Sequence, residues 1–314
     1  MALRVAPLQT PETGRSFTAS SGHWSLRQMF YILVASAVIW LGHTYNILAA
    51  SHVTIIAAAA LLVFGLPHGT LDIAVVRRGG AILSWITIKA VALYLGCALA
   101  MYGLWLFSTT AALIIFLLVA CVHFAEDWSE DLPAFFAIGT AVALLSAPSL
   151  FHRETLEPIF ALLVGTQSAS TFVDIGILIA PIALLTTLVG IMFQWQGGNQ
   201  ARAVETAITI AAMLLLPSIP AFALYFCLSH SPVQFAKACS EAGHETAWWK
   251  SIDVVLLTAA ALGISAMIFA DQNVASWADG VVVTSFITLS VLTVPHMVVP
   301  FLIDKMATRR RAIA

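Results

Sequence analysis

The stretch FGLPHGTLDIAVVRR, residues 64–78, sets a histidine, His68, between a long apolar run and a pair of arginines. In a soluble domain such a ring is one polar member of a mixed core. In a lipid-embedded helix it is a costly exception that faces the bundle interior or a cavity. Composition decides between these settings. Of the 314 residues 60% are hydrophobic and only 10% charged, and the mean hydropathy is +0.94, whereas soluble domains are about a quarter charged. The chain therefore reads as an all-α, polytopic transmembrane helical bundle. Its net charge of −2 offers no basic surface, so nucleic acid is not an expected partner.

Working outward from His68, a bilayer core about 30 Å thick needs roughly 20 apolar residues per crossing. By that ruler the chain divides into about ten spans, near 29–48, 53–76, 89–107, 110–126, 132–151, 172–194, 204–218, 219–238, 251–270 and 281–303. The apolar segment 154–164 is too short to cross, and Pro217 and Pro220 divide the 204–238 region. With the N-terminus inside, Arg77, Arg78, Lys89, Arg202, Lys237, Lys250, Lys305, Arg309, Arg310 and Arg311 all fall on the cytoplasmic side, leaving Arg153 outside. This is the bias of the positive-inside rule. The expectation is a multi-pass cell-membrane protein with both termini cytoplasmic: a polar tail (1–28), a helical domain (29–304) and a basic tail (305–314). No short apolar core with a cleavage site comes after the tail, so it does not read as a signal peptide. Cys97, Cys121, Cys227 and Cys239 form no C-x-x-C pair and read as small buried hydrophobes.

Four of the nine histidines, His68, His123, His230 and His296, lie within or near the end of a span. By this division all four spans run from outside to inside. His68 and His296 each precede an inner basic residue (Arg77, Lys305) by nine positions, and His230 precedes Lys237 by seven. At 1.5 Å per residue those rings stand roughly 10–14 Å from the inner markers, with His123 shallower. Imidazoles converging within a bundle are a common way to hold a transition metal. Four separate core rings, each bonded to a neighbouring helix, is the competing description. Asp72 comes four residues after His68 and Asp127 four after His123, a spacing that shares a helix face. Each carboxylate is thus placed to orient a ligating ring, or is simply solvated near the membrane surface. Phe64 and Phe226 precede His68 and His230 by four and stand where they would line an apolar channel, or pack. There is no HExxH, GxSxG or P-loop, and no HxxxH or HxxHH box. His–carboxylate pairs also suit a proton or metal transporter, although Lys and Arg are nearly lacking in mid-span.

The segments FGLPHGTLD (64–72), VHFAEDW (122–128), YFCLSHSPVQF (225–235) and LTVPHMVV (292–299) resemble the signature segments of the Brp/Blh family. These are bacterial and archaeal membrane β-carotene 15,15′-dioxygenases that make retinal, often for microbial rhodopsins. The resemblance covers roughly residues 53–304. It implies Fe(II) held by histidines, and β-carotene or another carotenoid and O2 as reactants. Position by position, it assigns metal binding and catalysis to His68, His123 and His230, with His296 as a further ligand. The second histidine of the family's HSxxH element falls at Gln234. This departure leaves three outcomes open: weaker iron binding, an opened coordination position, or a lost activity. The resemblance thus implies an oxygenase that cleaves the central double bond. The alternative is an altered member that binds a carotenoid or retinoid, or acts on another apolar substrate.

Overall fold

The computed structural model describes residues 24–45, 48, 50–76, 85–242, 252–271 and 274–313; side chains are described outside 66–76, 85–87, 241–242, 252–257, 260 and 300–313. The described residues form an all-helical bundle without strands. Its α-helices are α1 (Leu26–Tyr45), α2 (Ser51–Val76), α3 (Trp85–Phe107), α4 (Thr109–Ala125), α5 (Ala134–Ser146), α6 (Pro148–Phe151), α7 (Arg153–Val164), α8 (Thr166–Gln196), α9 (Gln200–Leu215), α10 (Ser218–Tyr225), α11 (Ser231–Ala242), α12 (Ile252–Asp271) and α13 (Trp277–Ile313).

Among the described residues, six helices are long and apolar enough to cross a bilayer: Leu26–Tyr45, Ile88–Phe107, Thr109–Trp128, Ala134–Phe151, Thr166–Gln196 and Trp277–Val299. Shorter apolar stretches occupy Ser51–Gly65 in α2 and Ala261–Asp271 in α12. The expected spans at 204–218 and 219–238 take a different form. Helix α9 has 16 residues, a length of about 24 Å. It stops before Pro217, and the chain continues as α10, a π-turn and α11. A proline cannot continue the hydrogen-bonded ladder, so the 204–238 region becomes broken helices rather than two uniform rods. The segment expected to be too short to cross is α7, which buries Leu156, Ile159 and Leu163 on one face. Gly165, at φ +82°, makes the turn from α7 into α8, a left-handed conformation that costs glycine little. Residues 305–313, read as a tail, continue α13 as helix.

Packing is set by residue size. The buried face of α8 is Ala169, Val173, Gly176, Ala180, Ala183, Thr187, Gly190 and Gln194, spaced alternately by four and three. Small residues in such a row let helices approach closely in lipid, where burial of apolar surface does not itself drive association. At Gly176 a Cβ would collide with the Ser149 side chain on α6. The opposite face carries Leu178, Ile182, Leu185 and Leu188, all exposed.

Helix α13 packs against α2, α3, α4 and α12 and forms the centre of the bundle. Hydroxyls fix its register. Ser285 Oγ donates to the Ala58 carbonyl on α2 at 2.9 Å, and Trp105 Nε1 on α3 donates to Ser290 Oγ at 2.6 Å. These contacts place the middle of α13, with His296, beside the end of α4.

Candidate metal centre

Two local departures from α-helix bring the site together. At the end of α4 the chain tightens into a 3₁₀ turn, Glu126–Trp128. After α10 it widens into a π-turn, Phe226–His230. Isolated π-turns within α-helices frequently occur at functional sites. The first turn leaves His123 in the last turn of α4, and the second carries His230 inward.

His123 is 4% exposed and His230 is fully buried. Their Nε2 atoms lie 3.1 Å apart, and their ring centroids 4.8 Å apart at 88°. His296 on α13 reaches the same place, its ring centroid 5.0 Å from that of His123. A cavity of about 20 Å³ lies among them, lined by Gly65, Phe226, Leu289, Leu292 and Thr293 as well as the three rings. That is space for one atom-sized occupant. Gly65 keeps α2 close, since a Cβ there would stand 2.5 Å from Leu289 Cδ2. His68 and Asp72 come next on α2, one and two turns past Gly65. Their side chains lie outside the described residues.

Asp127 reaches His230 rather than His123. Its Oδ2 accepts from His230 Nδ1 at 2.8 Å and from the Tyr225 hydroxyl at 2.5 Å, while Oδ1 accepts from Gln234 Nε2 at 2.9 Å. The spacing of four from His123 assumed an unbroken α-helix; the 3₁₀ turn redirects the carboxylate. An ionised carboxylate only accepts, so His230 Nδ1 carries its proton and the Nε2 lone pair faces His123. Gln234 therefore stands on the far side of Asp127 and positions it. The second acid near His123 is Glu126, with Oε2 3.9 Å from Nδ1, too long for a hydrogen bond. Phe226 stacks on His230, centroids 5.3 Å apart at 30°. Phe64 is 43% exposed and lines neither this cavity nor the larger one beside it. Its carbonyl accepts from Ser231 Oγ.

A buried polar network holds both turns. Glu205 on α9, 3% exposed, accepts from Arg27, Gln28, Ser229 and Arg202. Arg202 also donates to Asp131 at 2.9 Å and to the Asp127 carbonyl. Ser229 adjoins His230, so one carboxylate ties the π-turn to α1 and α9, and one guanidinium ties the 3₁₀ turn to α9. Tyr225, Glu126, Arg202 and Glu205 escaped the sequence reading as site residues. The available signal was Glu205, an acid inside an apolar run.

Among the described residues no group of three or more His, Cys, Asp or Glu side chains already stands at metal-holding geometry. The chemistry of the donors nevertheless fits iron. Two nitrogens about 2.1 Å from one ion and at right angles to each other are about 3.0 Å apart, close to the His123–His230 separation of 3.1 Å. Imidazole suits iron, and equally zinc, copper and nickel.

The family model described as beta-carotene 15,15′-dioxygenase matches residues 59–304. A beta-carotene 15,15′-dioxygenase from uncultured marine bacterium 66A03 is 26% identical over 266 residues, which cover 77% of this chain and 90% of the relative. No solved structure matches. The match includes His68, His123, His230 and His296 and covers most of the chain, and the chain accordingly belongs to the beta-carotene 15,15′-dioxygenase family.

Proposed function

We propose that this protein is an integral-membrane, iron-dependent oxygenase that cleaves β-carotene, or a related carotenoid, at its central double bond to give retinal. The observation that carries the reading is the meeting of His123, His230 and His296 at one small cavity in an apolar bundle, in a chain of this family. The reaction balances without an external reductant. One C=C bond and the O–O bond break, two C=O bonds form, and both oxygen atoms end in the aldehyde products.

In this reading His68, His123 and His230 hold Fe(II), with His296 as a further ligand. The iron, when bound, supplies the oxygen chemistry. The chain's own residues do the rest. Asp127 fixes the His230 tautomer so that Nε2 is the nitrogen presented to the metal. Tyr225 and Gln234 fix Asp127. Phe226 gives the polyene an apolar wall beside the rings and excludes water. Both reactants partition into hydrocarbon, so a site within the membrane meets them at high local concentration. The finer topology belongs to the same proposal: a multi-pass cell-membrane protein of about ten crossings, both termini cytoplasmic, with its product available to a microbial rhodopsin. The distribution of Lys and Arg supports it.

The test is expression in bacteria that make β-carotene, with the carotenoid and retinal then measured by chromatography. Bleaching with accumulation of retinal is expected. Unchanged carotenoid alongside inserted, iron-loaded protein would overturn the reading. Gln234, standing where the family has histidine, favours a second reading in which the protein binds a carotenoid or retinoid without cleaving it. Gln234→His separates the two. Because Gln234 positions Asp127, the oxygenase reading expects a several-fold loss of turnover; a gain of iron and of cleavage would favour the binding protein.

A further inference from the structure

A second cavity, of about 80 Å³, lies beside the histidines, with several times the space a single water needs. Leu289 lines both cavities, and Phe124 and Phe226 pack on His230 between them. The larger cavity runs away from the site. Phe116 on its wall precedes His123 by seven residues, roughly 10 Å along α4. Its other walls include Leu145, Leu156, Phe160 and Met213.

One lining residue breaks the apolar pattern. Ser218, the first residue of α10, is 7% exposed, and its Oγ has no hydrogen-bond partner among the described residues. It precedes His230 by twelve residues, roughly 18 Å along the helix, which puts it at the end of the cavity away from the metal centre. A buried hydroxyl without a partner is destabilising. A ligand group that completes its hydrogen bond relieves that cost.

We propose that this cavity seats one end ring of the carotenoid, and that the Ser218 hydroxyl hydrogen-bonds an oxygen substituent on that ring. The inference rests on the oxygenase reading and names its substrate class: carotenoids with a hydroxyl or keto group on an end ring are preferred over the unsubstituted hydrocarbon. With the central bond at the histidines, a rigid polyene places its ring away from the metal, in the direction of Ser218. Ser218 makes the choice between rings without touching the reacting atoms.

The test is binding, read on full-length, metal-free protein in detergent micelles. β-Carotene and a carotenoid with a single ring hydroxyl are titrated, and the change in polyene absorption gives each Kd. The hydroxylated ligand is expected to bind about tenfold more tightly. Ser218→Ala is expected to abolish that preference while leaving β-carotene binding unchanged, and Leu145→Trp to weaken both ligands. Equal binding by the unaltered protein would mean that only water serves Ser218 and would overturn the proposal. So would a preference that survives Ser218→Ala, or full affinity in Leu145→Trp. Cleavage is not needed for this readout. Selective binding without turnover in the iron-loaded protein would sink the oxygenase reading and leave the cavity assignment standing.

Discussion

Helix α8 and the segment from α10 to α11 both belong to the helical bundle, yet they solve opposite problems. Helix α8 runs unbroken from Thr166 to Gln196 across an internal Pro181 and buries small side chains. The α10–α11 segment is short, interrupted by a π-turn, and buries Ser229, His230 and Ser231. On α8 most of the buried row is small side chains that need only fit, and Thr187 bonds back to the Ala183 carbonyl of its own helix. Around the π-turn, Glu205 and Asp127 supply bonds from other elements, to Ser229 and His230, and Asp127 is itself held by Tyr225 and, at its carbonyl, by Arg202. Buried polar groups are costly unless fully bonded. The difference teaches that this bundle sets its buried carboxylates where rings must be aimed, and leaves α8 to close packing.

Three substitutions sharpen the contrast, from the largest effect to the smallest. His230→Ala removes a ring that is fully buried and bonded on both sides. Retinal formation should fall to background while the protein still inserts, as read by chromatography beside membrane fractionation. Asp127→Asn keeps the shape and removes the charge that sets the His230 tautomer. Metal affinity or turnover should drop about 10–100-fold, the usual cost of losing such a partner, measured by iron titration and initial rates. Gly176→Val strikes α8 instead. It forces a side chain against Ser149 and should cost about 1–3 kcal/mol of stability, seen as a lower melting temperature in detergent. Iron per folded chain should not change. If Gly176→Val empties the metal site as fully as Asp127→Asn does, the two regions are not separable.

The histidine-bearing segments were legible in the sequence because imidazoles stand out in apolar runs. His123, His230 and His296 were expected at related depth and do meet. The partner of Asp127 was not legible. Helical spacing assigned it to His123, whereas the 3₁₀ turn at Glu126 gives it to His230. Such turns are set by packing across helices and leave no periodic mark. The same holds for the π-turn and for the Arg202–Glu205 network, whose partners lie on α1, α9 and the turn before α5. Gln234 looked like a lost ligand because sequence shows which residue is replaced and not what the replacement touches. The helical class was plain from composition. The breaks near Pro217 were signalled by proline, but the form they took depended on tertiary contacts.

The most direct measurement is a count of metal per chain by elemental analysis of freshly purified protein, for the unaltered chain and for His123→Ala, His230→Ala and His296→Ala. One iron per chain, lost or sharply reduced in the first two variants and weakened in the third, is the expected result. Full iron in all three, or another metal bound tightly in place of iron, would contradict rings from separate helices sharing a single iron.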